Sequence, residues 1–558
     1  MTPTSPRPRR MAKTMSGPSS PPAPPAAPPM STGRSTIYIA ASVLLWMTQG
    51  LGMNLIAVNT LQIQGSLGAT LTETSWLIAA YMAPNVSLTI LLTKIRIQFG
   101  LRRFAELSLI IFAVTSLLHL VIFDLWTALP IRFLAGMAAA PVSTLGFLYM
   151  LEAFPPAKKL TWAVSLSLTC SAATPMVARV ISPVLLDLGQ WQQLYTLELG
   201  LALLAFSVVF LLPLTPLPYA KVLHWRDFIT YPLVAIGFGL LAVVLALGRF
   251  YWWFEAPWIG ICLAIAALCI GGAAAVELHR DTPLLNIRWL TSPEIATLAL
   301  TLLIFRIVLA EQTSGAIGLF QTLGLLNEQS RTLYLILLAA TLAGGLICGL
   351  TLTLARVPLF HGIALICIAG GAVMDGHATA LTRPETMYFS QALIAFGGAL
   401  FLPPAMHSGL VKTFKQGPMF ITSFIAVFLF TQSIGGLMGS ALFGSLVTLR
   451  EKVHSAHLVE QIQLTNPIVA DRLHTLAGAY HPLLSDPQQL MTEGMALLSQ
   501  QVTREATVLA YNDAFLLLAA IASAFLAALG LHMAYRRLRG RLDRSRGPDA
   551  LIPQSRPT

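Results

Sequence analysis

Long apolar runs separated by short polar connections dominate the chain. A membrane-spanning helix needs roughly 20 mostly apolar residues, and with that length as the criterion the pattern predicts about fourteen spans. They lie near residues 37–61, 73–92, 104–123, 126–151, 160–186, 193–213, 228–248, 257–277, 291–320, 332–355, 358–375, 386–411, 418–448 and 508–534. The pattern therefore predicts an all-α protein that crosses a membrane many times.

Two segments depart from this pattern. The connection 449–507 is long and polar, carries apolar residues at helical spacing, and is divided by Asn466-Pro467 and Asp486-Pro487, so it predicts short amphipathic helices outside the membrane. Residues 1–35 are rich in Pro, Ser and Ala and predict a disordered tail. The apolar run after this tail continues for a full span, which argues against a cleavable signal.

Composition supports a membrane protein. Of the 558 residues, 55% are hydrophobic and 11% are charged, whereas a soluble protein carries about 25% charged residues. The net charge of +11 does not indicate nucleic-acid binding, because the basic residues fall in alternate short connections and at both tails. By the positive-inside rule, this placement predicts that both termini are cytoplasmic. The five cysteines lie in apolar runs and predict neither disulfides nor a metal site.

Arg132 lies well inside the fourth span, followed by Gly136 and several alanines. A cation at that depth costs at least about 2.5–3.5 kcal/mol on insertion scales, so it must face protein or water. The small residues allow another helix to approach closely. We interpret Arg132 as a functional charge; the alternative is a structural arginine satisfied by backbone carbonyls.

Other polar residues inside predicted spans are candidates for the cavity or for proton coupling. They are Asn54, Asn59, Arg179, Glu198, Arg306, Glu311 and Gln312. Glu311 is the strongest candidate proton carrier, because burial of a carboxyl group favours its protonated form. The alternative is a permanent ion pair of Glu311 with Arg132 or Arg179. Arg306 and Glu311 are five positions apart and do not share a helix face, so we expect no direct pair between them.

Motifs of other function classes are missing from the sequence. There is no phosphate-binding loop, metal-ligand spacing or nucleophile elbow, so the sequence indicates no ATP-driven pump, no metal site and no catalytic residues. It also indicates no cofactor. A membrane-embedded enzyme is therefore the weaker alternative.

Several stretches together resemble the major facilitator superfamily, in particular its fourteen-spanning drug:proton antiporters of the Gram-negative tripartite type. The resemblance covers about residues 36–535. Its motifs follow the family's order along the chain: Thr74-Ser75-Trp76-Leu77, Gly100-Leu101-Arg102-Arg103, Arg132 to Ala140, Pro155-Pro156-Ala157-Lys158, Gly435 to Gly444, Asn466-Pro467, Gln500-Gln501-Val502-Thr503 and Ala510-Tyr511-Asn512-Asp513. The glycine and arginines at 100, 102 and 103, with Gly136, match motifs that the family uses in conformational change.

Three departures from the family pattern affect the expected mechanism. The aspartate of the first span is replaced at Gly52, the stretch 93–97 lacks the glycine and acid that precede Gly100, and the fifth-span antiporter motif is degraded to residues 178–183. These losses leave Arg132, Arg179 and Arg306 facing few acids. A cationic cavity favours a substrate with an anionic group.

The resemblance implies a major facilitator fold of two six-helix bundles, at 36–215 and 289–535, with two additional helices in 216–288 and a basic cytoplasmic tail at 536–558. It implies proton-driven export of a small amphipathic compound across the bacterial inner membrane by alternating access. It also implies that the connection 449–507 is periplasmic and binds an adaptor (membrane fusion) protein linked to an outer-membrane channel. Alternatives are a dedicated metabolite or siderophore exporter, or a transport-inactive scaffold or receptor.

Overall fold

The computed structural model describes residues 31–187, 191–215, 221–280, 283–417 and 420–545. Within them, fourteen helical segments are long and apolar enough to cross a membrane, which confirms the predicted number. We number these spans 1 to 14: Thr32–Val58, Leu71–Phe99, Leu101–Val121, Leu125–Ala153, Pro156–Asp187, Gln193–Leu211, Asp227–Tyr251, Pro257–Leu278, Pro293–Thr322, Arg331–Thr351, Leu354–Asp375, Pro384–Gln416, Ile421–Gln461 and the helix Pro487–Ser545. Short helices lie at Thr60–Leu67, Ile287–Leu290 and Pro467–Gly478.

Successive spans alternate in direction. We call the end of the helix assembly at which span 1 begins the terminal face, and the opposite end the far face. Spans with odd numbers therefore run towards the far face. The structure begins its first helix at Thr32, so residues 32–35 are helical, whereas residues 1–30 lie outside the described residues.

Apolar side chains hold the spans together in two large clusters. One combines spans 1 to 4, 6, 7 and 13, with Leu45, Phe112 and Leu145 among its buried members. The second combines spans 5 and 9 to 14, with Leu302 and Phe424 among its members. Spans 5 and 10 pack across the two halves, where Gly345 and Gly349 contact Thr169 and Trp162 closely. Small residues of span 10 thus lie at the contact between the halves.

At the far face, one asparagine connects the halves. Asn327, in the connection before span 10, donates through Nδ2 to the backbone oxygen of Val58 at 2.9 Å and to Asn59 Oδ1 at 3.2 Å. Its Oδ1 accepts from Arg179 Nη1 at 3.0 Å. The Arg179 guanidinium also lies 5.4 Å from the ring centre of Tyr334 in span 10. Spans 1 and 5 are thereby held to the second half.

Spans 7 and 8 lie along the seam between span 2 and span 13. At the far face, the hydroxyl of Tyr251 accepts a hydrogen bond from Trp76 Nε1 at 3.0 Å, and Trp253 Nε1 donates to Ser445 Oγ at 2.8 Å. At the terminal face, the backbone nitrogen of Asn286 donates to Ser423 of span 13. The pair of additional helices therefore contacts both halves at both faces.

A buried charge network fixes this helix pair at the terminal face. The Asp227 carboxylate, fully buried, pairs with Lys94 Nζ of span 2 at 2.9 Å and with Arg280 Nη2 at 2.8 Å. Arg280 also pairs with Glu277 at 2.6 Å. Burial opposes the charge of Arg280, but its hydrogen bonds to Asp227 and Glu277 raise its pKa. Asp227 of span 7 is thus the carboxylate partner of Lys94, whereas the stretch 93–97 itself contains no acid.

The prediction of separate short amphipathic helices in 449–507 is wrong for most of that stretch. Span 13 continues unbroken to Gln461, and the last helix already begins at Pro487, so only Pro467–Gly478 is a separate helix. A 41-residue helix is about 60 Å long, twice the hydrocarbon thickness. Asp513 lies inside the last helix and pairs with Arg450 and His454.

The last helix also extends past the predicted end of its span. It continues to Ser545, into the stretch predicted as a tail at 536–558, of which residues 546–558 lie outside the described residues. A 59-residue helix measures about 90 Å, so it projects beyond the hydrocarbon region at one face or both. The apolar pattern predicted the membrane-spanning part of this helix but not its polar extensions.

The Asp227 network makes a direct prediction for stability. Asp227→Asn leaves Lys94 and Arg280 buried without their shared carboxylate, and breaking a buried pair costs up to about 3–5 kcal/mol. We expect a clear fall in the thermal unfolding midpoint of the purified protein in detergent. Glu106→Gln is the control, since the Glu106–Arg102 pair is exposed and such pairs contribute about 0–1 kcal/mol. Equal midpoints for the two variants would contradict the assignment.

Candidate functional site: two buried charge clusters

Span 9 is broken at the position of its carboxylate. Helix Pro293–Val308 ends before Glu311, a short turn of helix follows at Glu311–Ser314, and the chain resumes as helix Ala316–Thr322. Gly315 lies at the break, and a Cβ there would lie 2.9 Å from Glu311 Oε1 and 2.7 Å from its backbone oxygen. Only glycine allows the Glu311 side chain to fold back over this turn. Discontinuous helices of this kind form ion and substrate sites in transporters.

Glu311 meets a second carboxylate through a shared amide. Gln391 Nε2 of span 12 donates to Glu311 Oε1 at 2.6 Å and to Asp375 Oδ2, at the end of span 11, also at 2.6 Å. Ser390 Oγ donates to Asp375 Oδ1. The residues Glu311, Asp375 and Gln391 are 1–2% exposed. We call Glu311 and Asp375 the carboxylate pair.

Neither member of the carboxylate pair has a cationic partner among the described residues. The ion pairs that involve Asp or Glu there lie elsewhere, at Asp227, Glu277, Glu106, Asp513 and Glu460. Glu311 Oε2 is buried and has no hydrogen-bond partner. The alternative of a permanent ion pair with Arg132 or Arg179 is therefore wrong in this conformation, and Arg306 does not pair with Glu311, as expected.

The second cluster surrounds Arg132 in the first half. Arg132 is 1% exposed, its Nη1 donates to the backbone oxygen of Gly52 at 3.1 Å, and its guanidinium lies 4.5 Å from the ring centre of Tyr81. A carbonyl dipole and an aromatic face thus carry much of its stabilisation. We call Arg132, Gly52, Tyr81 and Glu198 the arginine cluster.

Glu198 of span 6 fills the space beside Gly52. Its Oε1 accepts from Ser116 Oγ at 3.1 Å, and a Cβ built on Gly52 would lie 2.8 Å from the same oxygen. Arg132 contacts the carbonyl of Gly52 while Glu198 contacts its α-carbon. Residue 52 therefore lies between a buried cation and a buried carboxylate, and the carboxylate comes from span 6.

The remaining candidates lie in several places. Asn59 and Arg179 take part in the far-face junction at Asn327. Asn54 donates to the carbonyl of Gly50 within its own helix. Arg306 Nε donates to the carbonyl of Gln432 at 3.3 Å, and its side chain lies against Gly435 and Gly436 of span 13. The glycines of the span 13 motif thus make room for a buried guanidinium.

The motif residues near span 2 and in span 4 have structural explanations. Gly100 has a φ of +86°, which favours glycine, and ends span 2. Arg102 pairs with Glu106, and Arg103 is exposed. Gly136 lies directly against the backbone oxygen of Tyr81, so a side chain there would separate spans 2 and 4. Gln312 packs beside Gly398 of span 12.

Sequence reasoning missed Asp375 and Gln391. Asp375 closes a predicted span and has the composition of a helix end, while a lone glutamine in span 12 is unremarkable by itself. Their only sequence signal was polarity at the edge or inside an apolar run. Their convergence on Glu311 requires three spans to be placed in space, which the sequence pattern does not give. The described residues contain no group of three His, Cys, Asp or Glu residues placed to hold a metal ion.

Fourteen spanning helices in two packed halves, with charges buried away from ion pairs, are the features of a polytopic membrane transporter. The chain belongs to the major facilitator superfamily: the family model described as "Major Facilitator Superfamily" matches residues 39–440. This membership confirms the resemblance seen in the sequence. Its fold is that of the superfamily, two six-helix bundles with two inserted helices.

Sequence and structural similarity to individual transport and resistance proteins agrees with this family. The chain is 24% identical over 539 residues to the multidrug export protein EmrB of Escherichia coli K12, covering 90% of this chain and 96% of EmrB. It is 25% identical over 268 residues to the fatty acid resistance protein FarB of Neisseria gonorrhoeae, covering 45% of this chain and 50% of FarB. Among solved structures, the proton:xylose symporter XylE is similar with a TM-score of 0.52 and 12% identity, covering 89% of this chain and 97% of XylE.

The contact between Gly52 and Glu198 allows a charge-relocation test. Glu198→Ala removes the carboxylate of the arginine cluster. We expect the free energy of unfolding to fall by about 1–3 kcal/mol, the usual effect of leaving buried polar groups without a partner. Adding Gly52→Asp to Glu198→Ala returns a carboxylate to nearly the same place, so we expect the thermal midpoint to recover at least partly.

The matched control is Gly52→Ala with Glu198→Ala, which fills the space without a charge. The double variant that carries the aspartate should be more stable than this control. If the two double variants unfold at the same temperature, the carboxylate near residue 52 contributes nothing to the burial of Arg132.

Proposed function

We propose that this chain is a secondary active exporter of small amphipathic compounds, driven by protons through alternating access. The observation that carries the proposal is the carboxylate pair, a buried acidic site without a cation in a broken span. Such a site can take up and release a proton within the membrane. The likeness over nearly full length to a protein named as a multidrug exporter supports the same conclusion.

We propose that the exported compound is an amphipathic anion. The guanidinium groups of Arg132, Arg179 and Arg306 are bound to carbonyl or amide oxygens, and the described residues include no carboxylate paired with them. Cations satisfied by neutral dipoles attract anionic groups. The partial likeness to a protein named for fatty acid resistance favours the same class of substrate.

The placement of the basic connections supports a proposal for the orientation in the membrane. We propose that the terminal face is cytoplasmic, since Lys158, Lys159 and the arginines after residue 535 lie there, and that the membrane is the bacterial inner membrane. We further propose that residues 36–215 and 289–535 form the two bundles and that residues 216–288 carry the inserted helices. Asn54, Asn59 and Gln312 remain candidates for the substrate path.

We also propose that the extension of spans 13 and 14 beyond the far face binds a periplasmic adaptor protein, and through it an outer-membrane channel. The extension presents apolar side chains to solvent, with Ile468 77% and Leu483 79% exposed. These exposed apolar positions, on the short helix Pro467–Gly478 and the connection after it, fit a protein interface. The second candidate is a lid that acts only on its own transporter.

The overall function is tested in a strain that lacks the gene. Susceptibility to a panel of amphipathic anions, including long-chain fatty acids, should rise on deletion and return to normal when the full chain is expressed. Neutral and cationic amphiphiles of similar size are the comparison. A scaffold without transport activity predicts no change for any compound in the panel.

Glu311→Gln tests proton coupling. The amide keeps the size of the side chain and its contact with Gln391 but cannot ionise, so we expect resistance to fall to the level of the deletion strain while binding of the identified compound persists. Glu328→Gln, at an exposed carboxylate on the far face, is the matched control. Full resistance in Glu311→Gln would rule out this residue as the coupling group.

Replacement of residues 455–500 by a Gly/Ser linker tests the adaptor interface. We expect the spans to insert normally, because insertion depends on the helices and their flanking charges. Transport in inverted membrane vesicles should persist, whereas whole-cell resistance and co-purification of the adaptor, followed by mass spectrometry, should be lost.

Substitution of Ile468 and Leu483 by serine is the finer variant of this test. Both side chains are exposed, so the fold should tolerate the change within about 0.5 kcal/mol. Adaptor capture that survives the linker replacement would place the interface elsewhere.

A further inference from the structure

We propose that Glu311 and Asp375 form one site that holds a single shared proton, with Gln391 as the amide that bridges them. The inference rests on the proposed proton-driven function and deepens it by assigning a second carboxyl group to the coupling site. Nothing in the sequence pattern singles out Asp375, which comes from a different span than Glu311.

The bridge fixes how close the two carboxyl groups are. One amide nitrogen lies 2.6 Å from Glu311 Oε1 and 2.6 Å from Asp375 Oδ2. The two oxygens are therefore no more than about 5 Å apart, a separation at which two buried like charges repel strongly. The Gln391 amide has two hydrogens, one for each carboxyl group, and has none left for another acceptor.

The hydrogen bonds are unequal, and this inequality places the proton. Asp375 accepts at both oxygens, from Ser390 and from Gln391, as an ionised carboxylate requires. Glu311 accepts from Gln391 at Oε1, with a long contact of 3.4 Å from the Ala316 nitrogen, and its Oε2 has no partner. Glu311 thus has fewer donors to stabilise an ionised form than Asp375, so the proposal assigns the proton to Glu311. The loaded pair carries one negative charge, and release of the proton leaves two.

Charged groups on the neighbouring spans are engaged elsewhere. Arg306 of span 9 donates to the carbonyl of Gln432 in span 13, and Arg179 donates to Asn327. In the far-face extension, Arg450 and His454 of span 13 bind Asp513 of the last helix.

The other titratable groups nearby are also accounted for. Tyr511 of the last helix packs against Gly318, Arg249 of span 7 packs against Gly444, and Tyr334 of span 10 lies under the Arg179 guanidinium. His377, just after span 11, contacts the carbonyl of Val373 on its own helix through Nδ1. None of these groups forms an ion pair with Glu311 or Asp375, so the repulsion within the pair is relieved by protonation of one member.

The competing explanation is that the two carboxyl groups titrate independently and share Gln391 only as a packing partner. The two explanations differ in one measurable respect. In a shared site, a change made only at Asp375 alters the titration of Glu311, whereas independent groups respond only to their own substitution.

The test is infrared spectroscopy of the purified full chain in lipid bilayers during stepwise alkalisation. The C=O stretch of a protonated carboxyl group is followed, and the part that Glu311→Gln abolishes is assigned to Glu311. In Asp375→Asn, the Glu311 band should persist, but its midpoint should move to lower pH by about 1–3 units, because the remaining carboxyl group no longer ionises beside a charge. Asp513→Asn is the matched control and should leave the midpoint unchanged.

Ser390→Ala provides a second variant that alters no charge and serves if Asp375→Asn does not fold. The Ser390 hydroxyl contacts Asp375 and the Met387 carbonyl but not Glu311, so a shift of the Glu311 band there also supports a shared proton. A wild-type midpoint in Asp375→Asn, or in Ser390→Ala where Asp375→Asn does not fold, overturns the proposal, as does a wild-type spectrum without a Glu311 band.

The outcomes separate this inference from the proposed function. If transport by the wild type does not depend on the pH gradient, the proposal of proton-driven transport is wrong. The infrared result still decides whether the carboxylate pair shares a proton. If transport is proton-driven and Asp375→Asn leaves the Glu311 band unchanged, only the shared site fails.

Discussion

The structure depends on how charges are stabilised between helices that exclude water. At the terminal face, Asp227 forms full ion pairs with Lys94 and Arg280. Other buried ionisable side chains have neutral partners: a carbonyl and a ring for Arg132, and amides for Arg179 and Glu311. Ion pairs fix helices together, whereas dipoles hold a charge less tightly and permit its partner to change. The buried ion pairs of Asp227 therefore lie at a helix end, whereas Arg132 and Glu311 within the spans are held by neutral groups.

Glycines make this arrangement sterically possible. Gly52 gives space to the Glu198 carboxylate, Gly315 to Glu311, and Gly435 with Gly436 to the Arg306 side chain. In each case a single added methyl group would meet the charged side chain at 3.3 Å or less. The small residues of these spans are thus explained by the charges that they accommodate as much as by helix–helix packing. This explains why a family motif can lose an acid at residue 52 while a carboxylate still occupies that place.

The sequence predicted the fold well because the length of an apolar run is a local property of the chain. Fourteen runs of sufficient length gave fourteen spans, and the ordered motifs gave the family. It predicted Arg132, Glu198 and Glu311 as buried charges for the same reason, since each interrupts an apolar run. It could not predict that Asp375 and Gln391 meet Glu311, because three separate spans must be placed before their side chains can be. The extension of spans 13 and 14 was misjudged because polar residues on a projecting helix remove the hydrophobic signal without ending the helix.

The break in span 9 connects the carboxylate pair to the closure of the far face. Glu311 contacts the backbone nitrogen of Ala316, where the helix Ala316–Thr322 begins. That short helix carries Ile317 and Gln321, which line a narrow groove with Arg179, and Asn327 follows at the junction of the halves. Gly315 separates this short helix from the part of span 9 that precedes it. The proposed change in charge of Glu311 would therefore occur beside the first turn of the segment that leads to the Asn327 junction.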